Sequence, residues 1–129
     1  MNEEAYNQLS SMVIHSAIEV HKALGPGLLE SVYEKALVYE LRENGLYVHQ
    51  QVPVNIKYKE LYIENGYFAD IIVEEKIILE LKAVENVIPL YKTQLLSYLK
   101  LTNLKLGLLI NFHEERLIKG LTRVINGYL

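Results

Sequence analysis

The chain has 129 residues, half hydrophobic and 22% charged, which predicts a single domain over 1–129 with its own core and excludes disordered, collagen-like and simple coiled-coil chains. It has no cysteine, which rules out a disulfide scaffold, a thiolate zinc site and a cysteine nucleophile, and no apolar run near the ~18 residues of a membrane helix. A net charge of -3 offers no whole-surface attraction for nucleic acid, yet leaves room for an enzyme that holds phosphates through metal ions and a local patch. The acidic, polar start from Met1 to Ser10 is unlike a signal peptide, so a cytoplasmic protein is expected.

Residues 4–24 read as a helix, with Ile14, Ala17, Ile18, His21 and Leu24 at helical spacing. Gly25-Pro26-Gly27 stops it. A second helix is expected from Leu28 to Asn44, with Tyr33, Leu37 and Leu41 on one face. Val48 to Tyr58 then alternates as a strand. Lys59-Glu60 and Glu64-Asn65-Gly66 look like turns, with Leu61 to Ile63 extended between them. Tyr67 to Val73 and Ile77 to Ala83 are further strands, joined by Glu74-Glu75-Lys76. Pro89 opens a helix to about Leu101, and Lys105 to Asn111 reads as a central strand. The tail from Leu117 to Ile125 leans towards strand. This order predicts an α/β fold, a mixed central sheet of four to five strands flanked by helices.

The composition singles out one residue. Fifteen of the 16 acidic side chains are Glu; Asp70 alone is Asp, and it sits inside a β-rich run. On the next run, Glu80 and Lys82 interrupt the apolar stretch from Ile77 to Ala83 and point to one strand face. A hairpin-like pairing would set Asp70 beside them at a similar height. Buried charge needs a partner or a metal, and two adjacent carboxylates suit a hard cation, Mg²⁺ or Mn²⁺. The alternative is a Glu80–Lys82 ion pair at a sheet edge. Gln94 and Tyr98 share a helix face next to the Leu95–Leu99 ridge, as substrate-positioning groups or a partly buried tyrosine with its neighbour. Glu30 stands one turn before Tyr33 at a helix start, where the dipole favours a carboxylate. His15, His21, His49 and His113 have no metal spacing, and His21 reads first as a core histidine. Tyr62 and Tyr67 could stack on unpaired bases or pack internally.

Together these strings carry a resemblance. Gly27, Glu30 and Tyr33 form G-x-x-E-x-x-Y after Val20 to Pro26; Ala69-Asp70, Glu80 to Glu85, Gln94 to Leu99 and Gly107 to Phe112 follow. Over residues 13–125 the chain resembles the small bacterial and archaeal GxxExxY proteins. These look like minimal members of the PD-(D/E)XK nuclease superfamily, with the Q-x-x-x-Y helix of RecB-like nucleases. The resemblance implies that Asp70, Glu80, Lys82 and Glu30 are catalytic. Asp70 and Glu80 would bind Mg²⁺ or Mn²⁺ with the Leu81 carbonyl, Glu30 would hold a second ion or its water, and Lys82 would position the attacking water. Gln94, Tyr98 and Tyr33 would position substrate. Phe68 stands where relatives often carry a basic residue. The implied activity is metal-dependent hydrolysis of nucleic acid, DNA first, by a homo-oligomer, most simply a dimer. The rival reading is an inactive nuclease-fold protein serving as an interaction module.

Overall fold

A computed structural model describes all 129 residues. Helix α1 (Glu3–Leu24) starts at Asn2, whose side chain accepts the Ala5 N–H at 2.8 Å. Gly25 ends it with a positive φ of 70°, which glycine adopts freely. Helix α2 spans Glu30–Glu43, and β1 (Val48–Tyr58), β2 (Leu61–Val73) and β3 (Ile77–Lys82) follow. Helix α3 (Pro89–Thr102) has proline in its first turn, and β4 (Leu106–Asn111) and β5 (Leu121–Ile125) close the chain.

The five strands make one mixed sheet in sequence order. Only β3 and β4 are parallel, joined through α3 as a crossover; every other neighbouring pair is antiparallel. β3 and β4 are covered on both faces, which is why they read as near-continuous apolar runs. On one face α1 and α2 bury Val13, Ala17, Leu37 and Leu41 against Ile71, Leu79 and Ile110. On the other, Leu95 and Leu99 of α3 pack on Ile72, Ile78 and Leu109. Gly107 of β4 permits that approach: a Cβ there would meet Leu95 at 2.9 Å.

The expected helices and central strands form, with three differences. The buried stripe of α1 is centred on Val13, Ala17 and Val20, with Ile14 and Ile18 at its margin and Leu24 exposed. Glu64-Asn65-Gly66 is not a turn; β2 runs straight through it. Asn65 takes φ 52° and its N–H donates to the Asn55 side chain at 3.0 Å, so the turn-like residues serve a bulge where the β1–β2 register slips. In the tail, Leu117–Gly120 is a 3₁₀ turn and only Leu121–Ile125 is strand.

Tyr33 is placed differently from the substrate-positioning role expected of it. It is fully buried and stacked on Phe112 at 4.5 Å between ring centroids. Its hydroxyl donates to the Gly25 carbonyl at 2.5 Å and accepts the Leu28 N–H at 3.0 Å. With its hydroxyl spent on the α1–α2 loop, Tyr33 shapes the approach to Glu30 and does not face substrate. His21 is likewise structural: its Nε2 lies 2.7 Å from the Glu114 carbonyl, and its ring leans on Phe112.

Candidate active site

The site opens where two paired strands part. The β2–β3 ladder runs from Val73–Ile77 to Ile71–Leu79 and ends there, so Asp70 and Glu80 are the first opposed residues beyond it. The Asp70 carboxylate takes over as backbone partner: its Oδ2 accepts the Leu81 N–H at 2.9 Å. The Asp70 N–H in turn acts on the Glu80 carboxylate and pulls its pKa down against burial. The two carboxylates thus replace the missing rungs of the ladder.

The break has a local cause. Ala69 packs on the α3 side and Ile71 on the α1–α2 side, so strict alternation fails at Asp70. Opposite it on β1, Gln51 takes φ 50°. That conformation, uncommon for a side chain with a Cβ, interrupts the β1–β2 pairing between Gln50 and Val52.

Each carboxylate is held by a further side chain. The Tyr67 hydroxyl donates to Glu80 Oε1, while the Tyr67 ring stacks on Tyr98. The Q-x-x-x-Y helix therefore reaches Glu80 through Tyr67. Gln94, one turn before Tyr98, is half-buried on α3. On the α2 side, Gln51 Nε2 donates to Glu34 Oε1 at 2.8 Å and lies 3.4 Å from Asp70 Oδ1. Gln50 Nε2 donates to the other Glu34 oxygen at 2.6 Å. Glu34 is buried, and Glu30 stands exposed at the start of the same helix.

Glu34, Gln50, Gln51 and the tie from Tyr67 to Glu80 are absent from the sequence-level site. Helical spacing could have found Glu34, which lies four residues after Glu30 on one face. Two adjacent glutamines inside an apolar-alternating strand are the other signal. A double-mutant cycle of Gln51→Ala and Glu34→Gln should return a coupling of about 0.5–3 kcal/mol in urea unfolding. Additivity would contradict the contact.

The electrostatics follow from this crowding. Burial pushes the Glu80 carboxyl up to about 8, with Lys82 pulling it down and Glu30 and Glu34 pushing it up. Burial also raises Asp70, with Glu34 adding to the rise and the Leu81 N–H, Gln51 and Lys82 opposing it. Partial desolvation of its carboxyl end raises Glu30, the Asp70 charge adds to the rise, Lys82 opposes it and Glu34 adds to it. Tyr98 is raised by burial and by the Glu80 and Asp70 charges. Four carboxylates therefore act on one another with Lys82 as the cation acting on them.

Lys82 does not form the sheet-edge ion pair with Glu80. The chain's one salt bridge is Lys22–Glu19, elsewhere on α1. The Lys82 ammonium lies 4.3 Å from the centre of the Tyr91 ring, in the first turn of α3. Of the three carboxylates assigned to metal, Asp70 and Glu80 are adjacent across the strand gap. Glu30 acts on both through its charge, and no three His, Asp or Glu side chains are gathered as a ready ligand set. The donors nonetheless fit a hard divalent ion. They are carboxylate oxygens, their negative charge exceeds the cations near them, and Asp70 Oδ1 has only the long contact to Gln51.

A sequence model described as the PD-(D/E)XK nuclease superfamily matches residues 7–124. No curated protein and no solved structure is significantly similar to the chain. No helix is long and apolar enough to cross a membrane.

Proposed function

The chain belongs to the PD-(D/E)XK nuclease superfamily, and from that premise we propose that it hydrolyses phosphodiester bonds of nucleic acid, DNA first, with Mg²⁺ or Mn²⁺ as cofactor. The observation that carries this reading is the meeting of Asp70 and Glu80 where β2 and β3 part, with no cation paired to either. The G-x-x-E-x-x-Y string at Gly27, Glu30 and Tyr33 and the Gln94/Tyr98 pair support a place among the GxxExxY proteins and the RecB-like nucleases.

Asp70, Glu80 and the Leu81 carbonyl are the groups that would hold the ion, with Glu30 and the nearby Glu34 adding negative charge at the rim. Such an ion, when bound, polarises the scissile phosphate and lowers the pKa of water. Lys82 lies on the Glu80 face of β3, free of any carboxylate, and its ammonium can swing from the Tyr91 ring to a water or phosphate oxygen. There it would orient the attacking water and offset charge gathering on phosphorus. Gln94 and Tyr98 would orient the phosphate or the Lys82 side chain. Tyr67 keeps the Glu80 carboxylate turned in one direction. A chain this small covers little duplex, so a homodimer belongs to the proposal.

Two observations favour the non-catalytic module as the second reading: Lys82 rests on Tyr91, and the chain is acidic overall. A calorimetric titration with Mn²⁺ and Mg²⁺ separates them, read beside a cleavage screen on single-stranded, duplex and branched DNA and on RNA. Binding lost in Asp70→Ala, together with cleavage of any substrate, is the expected result. Absence of both would leave the module.

A further inference from the structure

Gln51 is the one residue of the site whose backbone is out of the ordinary. It takes φ 50° in the middle of β1, and the ladder to β2 passes from Gln50–Ile71 to Val52–Ala69 without it. The other residues with a Cβ at positive φ have local reasons. Lys59, Glu74 and Glu75 are in turns, Asn65 serves the bulge and Asn103 caps α3. No turn or cap asks for this conformation at Gln51. A residue with a Cβ is strained there and stays only where its surroundings impose it.

What imposes it is a set of contacts on the α2 side. In a regular strand, residues two apart share a face. Here Gln50 reaches Glu34 on α2 while Val52 packs on the α3 side, just as Ile71 and Ala69 diverge opposite them. Each strand thus has one residue out of alternation, Gln51 on β1 and Asp70 on β2. The positive φ turns the Gln51 side chain to the α2 side, and there its amide meets both Glu34 and Asp70.

The two contacts are unequal. The Gln51 Nε2 bond to buried Glu34 is 2.8 Å, and its approach to Asp70 Oδ1 is 3.4 Å. The short bond anchors the carboxamide. The long one steers Asp70 without engaging its oxygen tightly. The Glu34 and Asp70 charges act on each other, and the amide hydrogens stand between them. Without the amide, Asp70 would turn away from Glu34 and draw Oδ2 off the Leu81 N–H, which it now accepts at 2.9 Å.

We propose that Gln51 is a positioning residue, whose strained backbone puts one carboxamide between Glu34 and Asp70 and so fixes Asp70 with Oδ2 on the Leu81 N–H and Oδ1 open to a ligand. That the ligand is a divalent ion rests on the nuclease reading; the fixing of Asp70 does not. An outer hydrogen bond that orients a ligand carboxylate typically governs metal affinity by about 10–100-fold.

Two variants of the full chain separate the backbone from the amide. Glycine adopts positive φ freely, so Gln51→Gly keeps the conformation and removes the carboxamide. Gln51→Ala removes the carboxamide and keeps the strain. Amide hydrogen exchange of the ¹⁵N-labelled proteins in chelator reads the Leu81 N–H without any metal. In both variants Leu81 should exchange about tenfold faster than in wild type, the scale of one hydrogen bond to a charged group. Ile77 to Leu79, inside the β2–β3 ladder, should keep their rates. Gln51→Gly should melt above Gln51→Ala. Calorimetry should show Mn²⁺ held about 10–100-fold more weakly by Gln51→Gly than by wild type. Leu81 exchange unchanged in Gln51→Gly would overturn the proposal, because Asp70 would then hold its place unaided. So would Gln51→Ala melting at or above Gln51→Gly, or Mn²⁺ bound as tightly by Gln51→Gly as by wild type. Failure of the nuclease reading has a separate mark: wild type binds no Mn²⁺, yet Leu81 still exchanges faster in Gln51→Gly. That result keeps Gln51 as the residue that fixes Asp70 and removes only the ion.

Discussion

Lys82→Ala is expected to lower cleavage by about 10²–10³, the usual cost of one preorganised group that meets the developing charge. Divalent-ion binding and folding should survive, because Lys82 supplies no ligand oxygen and pairs with no carboxylate. Lys82→Ala gives up the contact with the half-buried Tyr91 ring, on the order of 1 kcal/mol, and the screened pull of the ammonium on the Glu80, Asp70 and Glu30 carboxyls. The signature is a large loss of rate with a nearly unchanged Mn²⁺ titration and melting curve. A purely structural lysine predicts the reverse: a small shift in stability and no change in rate. Labelled oligonucleotide cleavage by the two proteins, prepared identically to exclude a contaminating nuclease, checks it. Undiminished cleavage by the variant would remove Lys82 from the chemistry.

The metal-free protein should lose stability as pH rises, and a divalent ion should restore it. An unfolded Glu80 gives up its proton near 4.5, while the folded one keeps it up to about 8. Between those values the folded state binds more protons than the unfolded state, so stability falls with rising pH. The Glu80 contribution is fully present below 4.5 and is lost by the time pH has passed through about 8. Asp70 and Glu30 are shifted in the same direction and add to the slope. Each pKa unit is about 1.4 kcal/mol, against a total stability of ~5–15 kcal/mol for a domain, so the slope should be easy to measure. Melting curves in chelator at stepped pH should show Tm falling across this window. Mn²⁺ should raise Tm most at the alkaline end, where the carboxylates are ionised. Glu80→Gln should flatten the slope. A slope unchanged in Glu80→Gln would place the titrating group elsewhere.

Much of this was legible in the sequence, for identifiable reasons. Gly25-Pro26-Gly27, Pro89 and the apolar runs Ile77–Leu81 and Leu106–Ile110 carry strong local signals, and the helices and central strands follow them. Tyr33, Leu37 and Leu41 share a helix face and are all fully buried. Asp70 and Glu80 could be set side by side because antiparallel pairing across a short turn leaves little freedom in register. What stayed hidden depends on tertiary contact. Glu64-Asn65-Gly66 has turn composition, and only its pairing with β1 makes it a bulge. The string around Tyr33 marks a motif without saying whether its hydroxyl meets substrate or the Gly25 carbonyl. Gln50 and Gln51 alternate like ordinary strand residues, and the positive φ at Gln51 is what aims both amides at Glu34. The direction of Lys82 depended on where α3 brought Tyr91.

If the protein is a nuclease, the Asp70–Glu80 cleft is where phosphodiester bonds are cut. The most direct measurement is cleavage of end-labelled DNA with Mn²⁺ by wild type and by Asp70→Asn/Glu80→Gln, purified side by side and shown to fold alike. The substitutions remove two charges and leave the side-chain sizes almost unchanged, so packing at the strand gap should persist. Wild type should cleave in a way that chelator abolishes, and the double variant should not cleave. Equal cleavage by both proteins, or none by wild type on any DNA or RNA offered, would contradict the nuclease reading of the cleft.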